Sequence, residues 1–287
     1  MIIFKQATRL REYLQKETDR QRKTGFVPTM GALHNGHLAL IEASKKNTDC
    51  TICSIFVNPT QFNDPRDFDK YPNTIDQDIH RLTTAGADIL FLPAVAEMYP
   101  NGTANLEQYD LGFLETVLEG KYRPGHFQGV CQVMYRLLTM VNPDQLFMGQ
   151  KDYQQCMVVK RLLSLMRSDT TLIPFPTIRE ADGLAMSSRN MRLTEEDRRQ
   201  AVTIYRSLQY IRQHIAAGAT GTVADNARAM LLQAGCRIDY VAIADANTLA
   251  PVEVWDGQQP LVALVAAFLH EIRLIDNMIL TDPEKTI

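Results

Sequence analysis

Thr24-Gly25-Phe26-Val27-Pro28-Thr29-Met30-Gly31-Ala32-Leu33-His34-Asn35-Gly36-His37-Leu38 is the stretch from which the rest of the chain can be read. Thr24 to Pro28 reads as a short buried strand, and the segment from Leu38, with Ile41 and Glu42, reads as a helix. The polar residues between them fall at a strand-to-helix junction. Such a junction suits a phosphate, because backbone N–H groups and the positive end of the helix dipole point into it. Gly36 admits close approach of a ligand to the backbone. His34 and His37 add side-chain donors. Alone, H-x-G-H also fits two surface histidines at a helix start, so its neighbours have to decide.

Working outward, strand-like segments at 24–28, 50–57, 88–92, 144–147 and 171–175 alternate with helix-like segments at 6–22, 36–47, 75–86, 129–141 and 152–167. That alternation predicts an α/β fold, a Rossmann-like parallel sheet with helices on both faces. Ligands of such sheets sit beyond the carboxyl ends of the strands. Three polar segments fall on that rim: the opening stretch, Asn58 to Phe62, and Gly149 to Asp152. Pro174 and Pro176 then mark a break. Thr194-Glu195-Glu196-Asp197 forms a capping box, and Ala201, Ile204, Tyr205, Leu208, Ile211 and Ile215 follow at helical spacing as a core face. A second helix near 222–234 ends at Gly235, and two or three strands follow, at 237–244 and 261–268 with 273–280 as the candidate third. The expectation is a catalytic domain over 1–178 and a smaller α+β lid domain over 179–287.

The bulk numbers fit an ordinary globular protein: 287 residues, 45% hydrophobic, 22% charged, net charge −3. That balance argues against nucleic acid or a membrane surface as the main partner. The amino terminus is too short and too soon charged for a secretory signal. The longest apolar run, Leu261 to Leu269, is too short to span a bilayer and reads as a buried strand. Five scattered cysteines, at 50, 53, 131, 156 and 236, point to reduced thiols and a cytoplasmic setting. Cys50 and Cys53 match C-x-x-C, but on a strand positions i and i+3 face opposite sides, so neither a metal clamp nor a redox pair is expected.

Further segments carry polar chemistry. Arg123 to Gly129 precedes a helix and reads either as a Pro/Gly turn or as part of the site. Lys151 and Asp152 start a helix, where a lysine is disfavoured unless an anion sits there; Gln155 lies one turn on. Arg179 to Gly183 is a turn signal. Residues 185–190 place Ser187, Ser188 and Arg189 side by side, which suits a phosphate grip or a plain linker. Asp76 and Asp78 could serve a divalent ion, but they are acids in a first helical turn, where the dipole favours them anyway, and that reading is preferred.

Together these segments resemble the pantoate–β-alanine ligase (pantothenate synthetase) family. P-T-M-G-A-L-H-N-G-H-L at 28–38, F-V-N-P-T-Q-F at 56–62, H-F-Q-G-V at 126–130, K-D-Y-Q-Q at 151–155 and R-E-A-D-G-L-A-M-S-S-R-N at 179–190 match its pattern in identity, order and spacing. The resemblance covers nearly the whole chain and extends to nucleotidyltransferases with H-x-G-H signatures. It implies an ATP-dependent ligase of pantothenate biosynthesis, on the route to coenzyme A. Pantoate's carboxylate attacks the α-phosphorus of ATP, pantoyl adenylate forms as pyrophosphate leaves, and β-alanine's amine completes pantothenate and releases AMP. Mg²⁺ accompanies ATP; its ligands are not legible. The resemblance also implies a homodimer. His37 and Lys151 are the expected catalytic groups. Met30, His34, His37, Gly149, Lys151, Asp152, Ile178, Met186, Ser187, Ser188 and Arg189 are expected around ATP. Gln61 and Gln155, with Met30 and Phe62 as apolar walls, are expected around pantoate, and Asn58 and Tyr71 near β-alanine. The alternative is a nucleotidyltransferase that stops at an adenylylated acceptor.

Overall fold

A computed structural model describes residues 1–62, 68, 69 and 71–281. It divides into two compact units. One is Met1–Gln150 with Gln155–Pro176, and the other is Lys151–Gln154 with Thr177–Ile287. The last six residues of the expected 179–287 domain lie outside the described residues.

The first unit is built on strands β1 (Ile2–Phe4), β2 (Thr24–Thr29), β3 (Cys50–Ile55), β4 (Ile89–Phe91), β5 (Gln145–Gly149) and β6 (Thr171–Phe175). They form one sheet in the order β1-β4-β3-β2-β5-β6, every pair parallel. Its helices are α1 (Ala7–Asp19), α2 (Asn35–Asn47), α3 (Ile75–Ala85), the short α4 (Val95–Met98) and α5 (Leu118–Tyr122), α6 (His126–Val141) and, from Gln155 onward, α7 (Tyr153–Met166). Two hydrophobic clusters form in this unit. Phe26, Cys50 and Ile52 enter one, and Val27, Cys53 and Ile55 the other. Strand alternation therefore feeds both clusters, which explains why β2 and β3 read as apolar runs. It also parts Cys50 from Cys53, as strand spacing predicts. All five cysteines are buried and outside any disulfide.

The chain winds outward from β2 through β3 to β4, then returns to lay β5 and β6 on the other side of β2. The winding reverses between β2 and β5, which is where sheets of this kind bind ligands. The three-residue β1 was not legible from sequence. Helix α6 starts at His126, three residues before its expected start, because Gly125 (φ 78°) turns the chain straight into it.

The second unit holds α8 (Glu195–His214), α9 (Gly221–Gln233) and an antiparallel sheet of β8 (Arg237–Asp245), β10 (Leu261–Leu269) and β11 (Ile272–Ile279), with β10 in the middle. A two-residue ribbon pairs β7 (Gly218–Ala219) with β9 (Val254–Trp255). Ala201, Ile204, Leu208 and Ile211 of α8 share one core with Leu261, Ala263 and Val265 of β10. The Thr194–Asp197 capping box is formed in both directions. Among the described residues no helix is long and apolar enough to cross a membrane.

Candidate active site

Beyond β2 the backbone turns through Gly31 (φ 83°) and Ala32 (φ 49°), both left-handed, and delivers His34 to the N-cap of α2. The two histidines then cap each other's backbone. His34 Nδ1 accepts the Gly36 N–H at 3.2 Å, and His37 Nδ1 accepts the His34 N–H at 3.3 Å. The rings lie 4.0 Å apart, centroid to centroid. Because each Nδ1 accepts, these contacts assign the proton of each neutral ring to Nε2. Both imidazoles thereby become Nε2–H donors.

The backbone amides of this junction are mostly engaged within the protein. Asp78, 2% exposed on α3, accepts the Ala32 N–H at 2.9 Å and the Leu33 N–H at 2.8 Å. Gly31 N–H reaches Thr29 Oγ1, and His37 N–H reaches the His34 carbonyl. The sequence reading, in which these backbone amides take the phosphate, is corrected accordingly: the N–H groups of Gly31, Ala32, Leu33 and His37 are committed within the protein. The role of Asp78 is corrected too. It is more than an acid favoured by a helix dipole, because it grips the turn at the end of β2.

Beyond β3, residues 58–62 are fixed from several sides. Asn58 is 1% exposed; its Nδ2 donates to the Gly129 carbonyl, and its Oδ1 accepts from Tyr99 Oη at 2.7 Å and from Thr60. Asn58 thus ties the turn after β3 to α6 and to Tyr99, with one of its two amide N–H groups engaged by the Gly129 carbonyl. Gly129 of α6 is required here, since a Cβ on it would stand 2.2 Å from the Thr60 carbonyl oxygen. His126 Nδ1 lies 3.0 Å from the Gln61 carbonyl, and Arg123 lies 3.0 Å from the other ring nitrogen. The 123–129 segment therefore supports the turn that presents Gln61. The side-chain amide of Gln61 has no hydrogen-bond partner among the described residues. Phe62 meets the Tyr71 ring edge-on at 5.8 Å.

Beyond β5, Gly149 ends the strand and a single 3₁₀ turn, Gln150–Asp152, leads into α7. Lys151 Nζ lies 3.7 Å from Asp152 Oδ2. Asn277 Nδ2 donates to the Lys151 carbonyl at 2.7 Å, and Tyr153 Oη donates to the Ala246 carbonyl at 2.7 Å. These two contacts explain why Lys151–Gln154 groups with the second unit. Neither Asn277 nor Tyr153 carried a signal in sequence. Gln155, in the first unit, has an amide with no partner among the described residues. Met30, His34, His37, Gln61, Phe62, Gly149 and Gln155 thus sit on or just beyond three adjacent strand ends of one sheet.

In the second unit, residues 178–186 form a tight hairpin. Met186 N–H donates to the Ile178 carbonyl at 3.0 Å, and Gly183 (φ 94°) makes the turn. Gly183 lies so close to Tyr205 that a Cβ would fall 2.1 Å from its ring. Arg179 is gripped by both oxygens of buried Asp276, at 2.6 and 3.1 Å, and stacks over Tyr205 at 4.5 Å. Ser187 caps the 3₁₀ helix Ser188–Arg192 by accepting the Arg189 N–H. Ile178, Met186, Ser187, Ser188 and Arg189 are therefore brought into one compact segment.

Among the described residues no group of three or more His, Cys, Asp or Glu side chains is placed to hold a metal ion. Both Asp78 oxygens already accept backbone amides.

Comparison with known proteins gives a consistent result. The family model described as pantoate-beta-alanine ligase matches residues 2–279. A pantothenate synthetase of Pseudomonas putida (strain W619) is 44% identical and is aligned over 100% of both chains. That of Moorella thermoacetica is 44% identical over 98% of this chain and 99% of its own. Among solved structures, the pantothenate synthetase of Thermus thermophilus matches with TM-score 0.90 and 39% identity, covering 98% of this chain and 100% of the other. The pantoate-beta-alanine ligase of Francisella tularensis, complexed with beta-gamma ATP and beta-alanine, matches with TM-score 0.81 and 36% identity over 99% of each chain.

Proposed function

The chain belongs to the pantoate–β-alanine ligase family, and from that premise we propose how its own residues carry the reaction. It is a ligase that joins pantoate to β-alanine with the use of ATP. The reaction runs in two steps. Pantoate's carboxylate attacks the α-phosphorus, pyrophosphate leaves, and the amine of β-alanine then displaces AMP from the acyl carbon.

Negative charge grows on the phosphates in the first step. His34 and His37, each with its proton on Nε2, donate to that charge, with Lys151, Ser187, Ser188 and Arg189 as further donors. The residues around ATP also include Met30, Gly149, Asp152, Ile178 and Met186. Gln61 and Gln155 take pantoate's hydroxyls and carboxylate, since a primary amide both donates and accepts. Met30 and Phe62 wall its dimethyl carbon, and Asn58 and Tyr71 lie toward β-alanine. Mg²⁺ would accompany ATP and offset the charge of its phosphates. The 179–287 segment acts as a lid. The protein works as a cytoplasmic homodimer.

The observation that carries this reading is the donor set at the winding reversal. Two Nε2–H imidazoles follow β2, and two glutamine amides without protein partners among the described residues follow the flanking strands. The test is pantoate-dependent exchange of labelled pyrophosphate into ATP without β-alanine, then AMP release when β-alanine is added. Exchange that requires β-alanine removes the adenylate step. An adenylylated product that persists after β-alanine is added removes the second.

A further inference from the structure

We propose that Asp78 and Arg81 are positioning residues that clamp the turn after β2 and so aim the Nε2–H groups of His34 and His37. The inference rests on the phosphate role given above to those histidines.

Both residues project from α3, more than forty positions along the chain from the turn they hold. Asp78 takes the two consecutive N–H groups of Ala32 and Leu33, one on each carboxylate oxygen. Arg81 donates to the carbonyl of Leu33. One helix thus grips the donors and the acceptor of the peptide segment directly before His34. Thr74 Oγ1 donates to Asp78 Oδ2 at 3.1 Å and fixes the carboxylate's orientation.

The turn needs such a grip. Ala32 is left-handed, a conformation disfavoured by its Cβ, and alanine has no polar side chain with which to support it locally. Successive N–H groups pointing one way make an anion-binding concavity. Here the anion is built into the fold. Gly31 sits against the same carboxylate, since a Cβ there would lie 3.1 Å from Asp78 Oδ2. His34 follows directly, its ring nitrogen committed to the Gly36 N–H. A change in the path of the turn is therefore a change in where both imidazoles point.

The test uses full-length Asp78→Asn and Arg81→Met. An asparagine keeps one acceptor and turns an NH₂ toward a backbone N–H. Arg81 is exposed, so its replacement leaves the core intact and carries the same readouts if Asp78→Asn fails to fold. The first readout is imidazole ¹⁵N NMR of the ligand-free protein, with signals assigned from His34→Ala and His37→Ala. Wild type is expected to show Nε2–H rings at both positions, and the clamp variants a tautomer mixture. The second is pyrophosphate exchange. The turnover number is expected to fall by ten- to about a hundredfold with KM values little changed, as for a displaced reacting group. The third is a double variant: His37→Ala should cost far less in the Asp78→Asn background than alone. Unchanged tautomers, independent multiplicative losses, or a selective rise in the Mg²⁺ requirement would each overturn the clamp. If His37→Ala alone exchanges at the wild-type rate, the histidines' phosphate role fails, while the tautomer readout still judges the clamp.

Discussion

Asn277 donates its side-chain amide to the backbone carbonyl of Lys151 at 2.7 Å, across 126 positions of sequence. Asn277 is 5% exposed, and its neighbour Asp276 holds Arg179 by two bonds. The end of β11 thus fixes the backbone of the expected catalytic lysine and the start of the 178–186 hairpin together. Asn277→Ala should lose about 1 kcal/mol of stability, the usual net value of one hydrogen bond. Asn277→Asp should do worse than alanine in both melting temperature and exchange rate, because it sets a carboxylate against a carbonyl. Equal behaviour of the two variants would remove the contact from the argument.

His37→Ala and Lys151→Ala should each retain the fold by circular dichroism and lose roughly a hundred- to a thousandfold in pyrophosphate exchange, the usual effect of deleting one donor to a developing oxyanion. Near-wild-type exchange in a folded variant would take that residue out of the phosphate site.

Gln61→Ala and Gln155→Ala should weaken pantoate much more than ATP. Each leaves a substrate hydroxyl unpaired, at a cost of about 1–3 kcal/mol. Binding of pantoate and of an ATP analogue, measured separately by calorimetry, checks this. Equal weakening of both ligands contradicts the assignment.

Stability in acid should depend on Asp197. Hydrogen bonds from the Thr194 hydroxyl and backbone hold its carboxyl below the ordinary carboxylate range. A folded pKa below the unfolded value of about 3.9 stabilises the fold above that value, and the gain is lost as pH falls through the lowered pKa. Asp197→Asn should therefore melt earlier than wild type near neutrality and approach it at low pH, read by thermal melts across the acid range. A constant gap at every pH would show that the carboxylate's charge contributes nothing.

Sequence revealed what is local or periodic. The Thr194 capping box lies within four residues, and α8 repeats its apolar face several times, so both were legible. Strands β2 and β3 announced themselves as buried runs. Strand β1 did not, because three residues carry no period and its partner, β4, lies 87 positions away. The rim segments were legible because their side chains are chemically unusual for a turn. Asp78 was not, since an acid in a first helical turn looks the same whether it faces water or two peptide groups 45 and 46 residues away. Asn277 was hidden for the same reason: the Lys151 carbonyl it meets is a backbone atom, which leaves no mark on the sequence.

The Asp78 carboxylate in the Ala32–Leu33 amide concavity bears on selectivity among solutes. A small free anion such as sulfate or orthophosphate binds best to a ring of uncommitted peptide amides, and this junction has given most of its amides away. What it offers instead is separated side-chain donors, which reward a ligand long enough to reach several at once. The expected consequence is a site that tolerates high concentrations of simple oxyanions such as orthophosphate, while the product pyrophosphate inhibits.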